Sequence, residues 1–340
     1  MKIPVDVLNA YFNKDEVKSV SEFGNGHIQS TFKIETPKSD FVLQKINTSV
    51  FQQAYILINN HILLQNHLES IEKPDYTIPR LIKTKGDEFY YENQQSGFWR
   101  LISYIPNTRS LEKTENPVQA FEAGKAYGWF AKVLQKANIS SFEEAIPEFH
   151  SISHRLRQFE EALQKDAALR KESVKEEIDF FMQRKEELLK LEQLIVKGKI
   201  PKRIVHNDTK INNVLFRGTK AVAVIDLDTV GPGSILFDYG DALRTIANTA
   251  NEDEEDIKKV KFSFDNYNGF TKGYLSQTAS FLSISEKQNL HLSPVLMTYI
   301  VGLRFLTDFL NGDIYFKTKK ENHNLIRTRV QQKLIMEIEG

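Results

Sequence analysis

The hydrophobic rhythm of the chain changes once. Between Val20 and Ile46 short apolar runs are divided by turn residues. "VSEF" leads into Gly24-Asn25-Gly26, then "HIQSTFKIE" puts Ile28, Ser30, Phe32 and Ile34 on one face, and Thr36–Asp40 turns the chain into "FVLQKI". That period of two predicts strand, turn, strand, turn, strand. A helix is expected over 51–68, with Tyr55, Ile58, Ile62 and Leu63 on one side. Strands follow around "EFYYEN" and "FWRLISYI", and Pro106-Asn107-Thr108 reads as a linker. Beyond it the helical period takes over: a helix over 117–137, amphipathic stretches within 150–197, and an apolar helix over 285–318. Leu156, Phe159 and Leu163 mark one buried stripe, and Val174, Ile178 and Phe181 another. The acidic block near 250–259 reads as a solvated loop or helix start. The expected architecture is α+β and two-lobed, with a small β-rich lobe over 1–105 and a larger α-rich lobe over 106–340.

Composition narrows the chemistry. The 340 residues hold 45 Lys+Arg and 45 Asp+Glu, a formal net charge of zero. A protein that coats nucleic acid or an anionic membrane needs a basic excess, so neither partner is expected. With no cysteine, disulfides, thiolate metal sites and cysteine nucleophiles are excluded. The N-terminal residues MKIPVDVLNAYFNKDE carry no apolar targeting core, and no run approaches the ~18 uninterrupted apolar residues of a spanning helix. The expectation is a cytoplasmic protein; its oligomeric state is not legible.

The chemistry is concentrated in one stretch. Ile204-Val205 enters a polar loop, His206-Asn207-Asp208-Thr209-Lys210-Ile211-Asn212-Asn213, and Val214-Leu215-Phe216 leaves it. A second apolar run, Ala221–Ile225, ends in Asp226-Leu227-Asp228. Phosphoryl transfer needs a carboxylate to hold and deprotonate the acceptor hydroxyl, and hard oxygen ligands for the magnesium that neutralises the phosphates. Asp208 suits the first role; Asn213 and Asp226 suit the second. His206 is expected to pack behind the loop and hold its backbone. A single loop Asp read alone is a turn or cap residue. The joint pattern H-x-D-x-x-x-x-N, followed by an apolar strand ending in Asp, matches the catalytic-loop and metal-loop pair of kinases.

This segment resembles the aminoglycoside phosphotransferase/choline kinase superfamily. "HNDTKINNVLF", "VIDLDTVGPGSILFDYGDALR" and "LRFLTDFLNGDIYF" are most similar to N-acetylhexosamine 1-kinases. The resemblance covers most of the chain. It implies a protein-kinase-like fold, ATP and Mg2+ as cofactors, Asp208 as base, and Asn213 and Asp226 as magnesium ligands. The acceptor it implies is a sugar, through the anomeric hydroxyl of an N-acetylated hexosamine. Another hydroxylated metabolite (an aminoglycoside, choline or homoserine) is the alternative acceptor, and a nucleotide-binding scaffold is the alternative of another class.

On the nucleotide side, Gly24 and Gly26 are expected to let the backbone approach the triphosphate. Kinase folds place a lysine on the third strand to grip the phosphates. In "FVLQKIN" the residue at that place is Gln44, while Lys45 faces the opposite side. The following helix offers no early glutamate, Glu69 coming at its end. Either Gln44 or Lys45 contacts the phosphates. The hinge falls at Ser103–Ile105, with Tyr104 at the adenine edge. On the acceptor side, Asp228 is a metal contact, a sugar ligand or a turn former. Asp238 is expected to cap a helix and brace the catalytic loop. Arg304 and Asp308, four apart on an apolar helix, form either an ion bridge or a polar fork for sugar hydroxyls. Arg244 is a lesser candidate, read chiefly as a surface residue.

Overall fold

The alternating residues of the N-terminal region close into one antiparallel sheet. The structure, a computed structural model, describes residues 3–24, 29–71 and 74–340. Gly26 and Ile28, singled out above, lie outside the described residues. Strands β1 (Ser19–Glu22), β2 (Ser30–Glu35), β3 (Asp40–Lys45), β4 (Leu81–Ile82), β5 (Tyr91–Asn93) and β6 (Gly97–Ser103) make a six-stranded sheet. Its order is β1-β2-β3-β6-β4, with β5 also pairing β6. The short helix α1 (Val5–Tyr11) covers one face, where Val7 and Tyr11 pack with Phe32, Ile34, Leu43 and Trp99. On the other face Val42, Ile46, Phe98 and Ile102 pack against α2 (Ala54–Glu69). Successive strand residues point to opposite faces. Gln44 and its cross-strand partner Arg100 therefore share the α2 face, and Lys45 with its partner Trp99 shares the α1 face.

Helix α2 belongs to two cores. Leu57 and Ile58 pack under the sheet, whereas Leu64 and Leu68 enter the large helical core. That second core is built by α3 (Pro117–Leu134), α4 (Ile152–Lys165), α5 (Lys175–Val196), α6 (Ile235–Ile246), α7 (Phe264–Thr278), α8 (Ile284–Asn289), α9 (Ser293–Leu310) and α10 (His323–Glu339). Side chains of Asn116, Ser151, Ser234, Ser263 and Ser283 cap α3, α4, α6, α7 and α8 by accepting from backbone N–H groups of the first turn. Helices α3 and α7 meet backbone to backbone: a Cβ on Gly124 would lie 2.2 Å from the Phe270 carbonyl oxygen, and one on Gly273 2.1 Å from that of Phe121. Any larger residue at either position forces the pair apart.

Two small ribbons lie on this core and carry the functional loops. β7 (Arg203–Val205) pairs β10 (Gly231–Gly233), and β8 (Val214–Arg217) pairs β9 (Lys220–Val224). The ribbon β8–β9 is stitched to the sheet side by Thr77, whose N–H donates to the Val222 carbonyl at 3.1 Å, and by Arg109, whose N–H donates to that of Phe216 at 2.9 Å.

The helix read over 285–318 is divided. α8 and a 3-10 turn at Leu290–Leu292 precede α9, which begins with Pro294 in its first turn and ends at Leu310. By length and composition Ile284–Leu310 passes as a membrane span, but 67% of its apolar window is buried within the fold, as in a core helix. The acidic block is loop with one 3-10 turn, Ile257–Lys259.

Candidate active site

The chain leaves β7 through Val205, turns at Asn207 with φ 64°, and presents Asp208. Non-glycine residues rarely adopt this left-handed conformation, which costs of order 1 kcal/mol and persists only where its surroundings hold it. Here Asp238, in the first turn of α6, does the holding: its carboxylate accepts the N–H of His206 at 2.8 Å and of Asn207 at 2.7 Å. Thr209 donates its hydroxyl to the Asp238 carbonyl at 2.5 Å. The cap of α6 is Ser234, so Asp238 braces the loop without capping the helix. Burial pushes the Asp238 carboxyl up to about 7 against the two N–H groups that favour its ionised form. His206 is fully buried, with Nε2 2.9 Å from the Ile225 carbonyl and its ring edge-on to Tyr127 and Phe130. Burial holds its pKa below the ordinary value, so the imidazole stays neutral and ties the catalytic loop to the end of β9.

Around Asp208 the loop folds back on itself. Asn213 donates its amide N–H to the Asp208 carbonyl at 2.8 Å and to its carboxylate at 3.2 Å. Lys210 Nζ lies 3.0 Å from the same carboxylate. Burial opposes ionisation of Asp208, but the Lys210 ammonium outweighs it and holds its pKa below the usual carboxylate value. Asp226 follows β9 in the left-handed conformation, φ 61°. Burial first, then the neighbouring Asp228 and Asp208 carboxylates, push its pKa up to about 7. This excess of buried negative charge suits a hard divalent cation. Asp226 supplies a carboxylate, and the Asn213 side-chain oxygen accepts no hydrogen bond among the described residues. No group of three or more His, Asp or Glu forms a protein-only cage among the described residues. That fits magnesium, which takes one or two protein oxygens and fills its shell with water and phosphate.

Asp228 does not face open solvent or a free cleft. Only 4% exposed, it pairs with Arg100 of β6 and accepts from Gln29 Nε2 at 2.9 Å. Gln44 accepts from Arg100 Nε at 2.9 Å and Nη2 at 2.8 Å. Lys45 places Nζ 5.9 Å from the Trp99 ring centroid on the far face of the sheet. The choice between Gln44 and Lys45 thus has an unforeseen third party in Arg100. Gly24, at φ 79°, has open space where a Cβ would stand. At the hinge the Tyr104 N–H donates to the Asp40 carbonyl at 3.3 Å, and its ring meets Phe23 edge-on at 5.8 Å. The Ile105 N–H has no hydrogen-bond partner among the described residues.

On the opposite side, the pair read as a polar fork divides. Asp308 accepts from the N–H groups of Ile314 at 3.0 Å, Tyr315 at 2.8 Å and Phe316 at 2.9 Å, and from Asn324 Nδ2 at 2.8 Å. It is a buried brace for the loop after α9, with no lone pair left for an Arg304 bridge. Arg304 instead lies among rings, its guanidinium 5.0, 5.8 and 5.4 Å from the centroids of Phe149, Tyr315 and Phe316. A cavity of about 300 Å3 opens there, lined among others by Arg155, Glu161, Lys165, Arg304, Asp308 and Tyr315. A second of similar size is lined by Phe149, His150, Asn207, Thr229, Gly233 and Phe237. Neither lining includes Asp208 itself. Phe149 links the two cavities, and His150 Nε2 lies 2.9 Å from the carbonyl of Asn207, next to Asp208. Arg244, read as a surface residue, is buried and paired with Asp241 at 2.9 Å and Glu252 at 2.8 Å. The short interval between these acids, three and eight residues away, makes the pairing local.

Residues 19–267 match the sequence profile of APH, the phosphotransferase enzyme family. The chain belongs to that family. Its fold is also that of solved structures far away in sequence. An amicoumacin kinase in complex with AMP-PNP, Ca2+ and Ami is 14% identical over 98% of this chain and 91% of its own, with a TM-score of 0.64. A microcompartment-associated aminopropanol kinase is 14% identical over 98% and 95%, with a TM-score of 0.66. Choline kinase from Cryptosporidium parvum Iowa II is 15% identical over 96% and 91%, with a TM-score of 0.55. At these identities the likeness establishes the kinase-like α+β fold.

Three residues of the phosphotransferase site escaped the sequence reading. Lys210 was readable: it stands two residues after Asp208 in the same loop, close enough that its ammonium had to fall near the carboxylate. Arg100 and Gln29 were not, because only the pairing of β6 with β3 and the turn before β2 bring them to Asp228.

Proposed function

We propose that this phosphotransferase moves the γ-phosphoryl group of ATP to a sugar hydroxyl, the anomeric hydroxyl of an N-acetylhexosamine. The reading rests on the convergence of Asn213, Lys210 and Asp226 around one ionised, loop-borne carboxylate, Asp208. Magnesium held by Asp226 and Asn213 would neutralise phosphate charge and align the transferring group. The acceptor O–H donates to Asp208, which takes the proton as the oxygen bonds to the γ-phosphorus and the bridging bond to ADP breaks. A carboxylate with a lowered pKa is a weak base, yet it suffices, because a loose transition state places little charge on the attacking oxygen until late. As Asp208 is neutralised, Lys210 is released from it to donate to the transferred phosphoryl oxygens. The unpartnered Ile105 N–H offers a donor to the adenine edge, so the hinge contact falls one residue after Tyr104.

The acceptor assignment draws on Arg304. Its cavity carries Arg155, Lys165 and Arg304 against Glu161 and Asp308, and Asp308 is already satisfied by four N–H donors. A cationic acceptor therefore meets a cationic balance there, and a neutral sugar meets donors and aromatic faces. The similarity of "LRFLTDFLNGDIYF" to N-acetylhexosamine 1-kinases agrees. A second reading, a cationic acceptor such as an aminoglycoside or choline, is favoured by Glu144, Glu148 and Glu192 around the other cavity. Those acids already have partners in Lys202, Arg157 and the Ser153 N–H. The intact Asp208, Asn213 and Asp226 set speaks against a scaffold, and the absence of a basic excess speaks against a nucleic-acid partner. Coupled ADP release with magnesium-ATP against N-acetylglucosamine, N-acetylgalactosamine, glucose, choline, homoserine and kanamycin tests the reading. Turnover confined to the N-acetylated sugars is expected; turnover with choline or kanamycin alone would replace the sugar by the cation.

A further inference from the structure

We propose that Arg100 is the cation that grips the nucleotide phosphates, taking from the neighbouring strand β6 the place that kinase folds give to a lysine on β3. The inference rests on the phosphotransferase reading above and extends it to a residue outside every motif of the sequence. The register of β3 against β6 carries the argument. Gln44 holds the β3 position on the α2 face and has no charge, while Lys45 points to the α1 face and lies by Trp99. Directly across from Gln44, Arg100 is 3% exposed. Its Nε and Nη2 are engaged by Gln44 Oε1, and Nη2 also by Asp228. Nη1 has no hydrogen-bond partner among the described residues, although it is buried. A buried guanidinium nitrogen left without an acceptor costs of order 1–3 kcal/mol, so an acceptor is missing.

The surroundings say what kind. Asp228, two residues past Asp226, anchors the guanidinium beside the metal loop, and Gln29, directly after the glycine turn, binds the same carboxylate at 2.9 Å. Arg100 is thus held where Gln29, β3 and the metal loop meet. Helix α2 adds no competing carboxylate: its inward polar residues are Asn60, bonded to the Glu143 and Val230 carbonyls at 2.8 Å, and His61, whose Nε2 meets the Pro79 carbonyl at 2.7 Å while its buried Nδ1 has no partner among the described residues. Glu69, the acid at its end, pairs with Arg80. Gln44 is then a positioning residue: its oxygen is spent on Arg100 and its Nε2 lies 3.4 Å from the Thr31 hydroxyl. A polyphosphate oxygen is the acceptor that fits a guanidinium fixed through Nε and Nη2 with Nη1 unpartnered.

The test separates phosphate recognition from ion-pair stability by comparing affinities for magnesium-ATP and adenosine, measured by calorimetry. In Arg100→Met/Asp228→Asn the buried pair is replaced without an orphaned charge. Adenosine affinity is expected to stay within about twofold and magnesium-ATP affinity to fall roughly 10–100-fold. Arg100→Lys, which keeps charge but not the fork, is expected to lose part of that ratio, and Lys45→Met none. An unchanged ATP-to-adenosine ratio in the double variant overturns the proposal, as does a ratio that collapses in Lys45→Met. A crystal structure of the wild type with AMP-PNP gives an answer independent of variant folding. Nη1 within about 3 Å of a phosphate oxygen supports the assignment, and Nη1 bonded only to water or protein overturns it. A wild type that binds magnesium-ATP no more tightly than adenosine would instead sink the phosphotransferase reading beneath it.

Discussion

The catalytic loop and the sheet above it differ in how their charges are put in place. In the loop, Asp208, Lys210 and Asn213 come from one short stretch, and Asp238 fixes its backbone by accepting two consecutive N–H groups. In the sheet, the buried cation, its positioning amide and its counter-ion come from three places: Arg100 on β6, Gln44 on β3 and Asp228 past β9. A local constellation tolerates little drift, because a one-residue shift moves every group. A constellation assembled across strands lets one strand lose a charge if its partner supplies it. The same face of the same sheet is then served from a different sequence position.

Several substitutions break or sharpen this contrast. The largest effect falls in the loop: Asp226→Asn is expected to lower turnover about 10²–10³-fold, while Lys45→Met leaves it within about twofold. Equal losses in the two variants would erase the distinction between the faces of β3. Next comes the brace. Asp238→Ala leaves two buried N–H groups unpaired, and urea unfolding is expected to show a loss of about 2–4 kcal/mol. A loss below about 0.5 kcal/mol, the level of a surface substitution, would mean that the loop holds its own geometry.

The smallest effect depends on pH. Burial holds the pKa of His61 at about 4 and that of His150 at about 3. Folded, both stay neutral; unfolded, both take up protons below about 6.5, so their contribution to stability is lost as pH falls from there toward 4. Each histidine is worth up to about 2 kcal/mol of that loss by pH 5. Asp226 and Asp238, raised to about 7, act in the opposite sense, since the folded protein there keeps protons that the unfolded chain releases. Comparison of the wild type with His150→Gln cancels those acids. The variant's urea midpoint is expected to fall less between pH 7 and pH 5, and an identical fall would show that His150 titrates normally.

The sequence was most legible where period and motif coincide. Strand β2 alternates cleanly, β3 carries an apolar triplet, α2 to α5 carry apolar stripes, and the catalytic and metal loops lie between short apolar runs. Less was readable where an element is too short to show a period, as in two-residue β4 and seven-residue α1, which buries Val7 and Tyr11. The division of 285–318 into α8, a turn and α9 was hidden by continuous apolarity, with only Pro294 to mark a start. α7 and α10 went unread because their buried faces include polar residues such as Asn266, Asn324 and Gln331. Side-chain pairings within a few residues could be inferred, as for Lys210. Asp308 was misjudged because its partners are backbone N–H groups, which no residue identity reveals. Arg100 needed the strand register.

The central claim is that Asp208 activates the acceptor hydroxyl in a site that binds nucleotide independently of it. Its most direct test measures magnesium-ATP affinity by calorimetry and ADP release with N-acetylglucosamine, in the wild type and in Asp208→Asn. The account predicts affinity within about threefold and turnover lower by roughly 10²–10⁴-fold in the variant. Turnover that survives Asp208→Asn unchanged would contradict it.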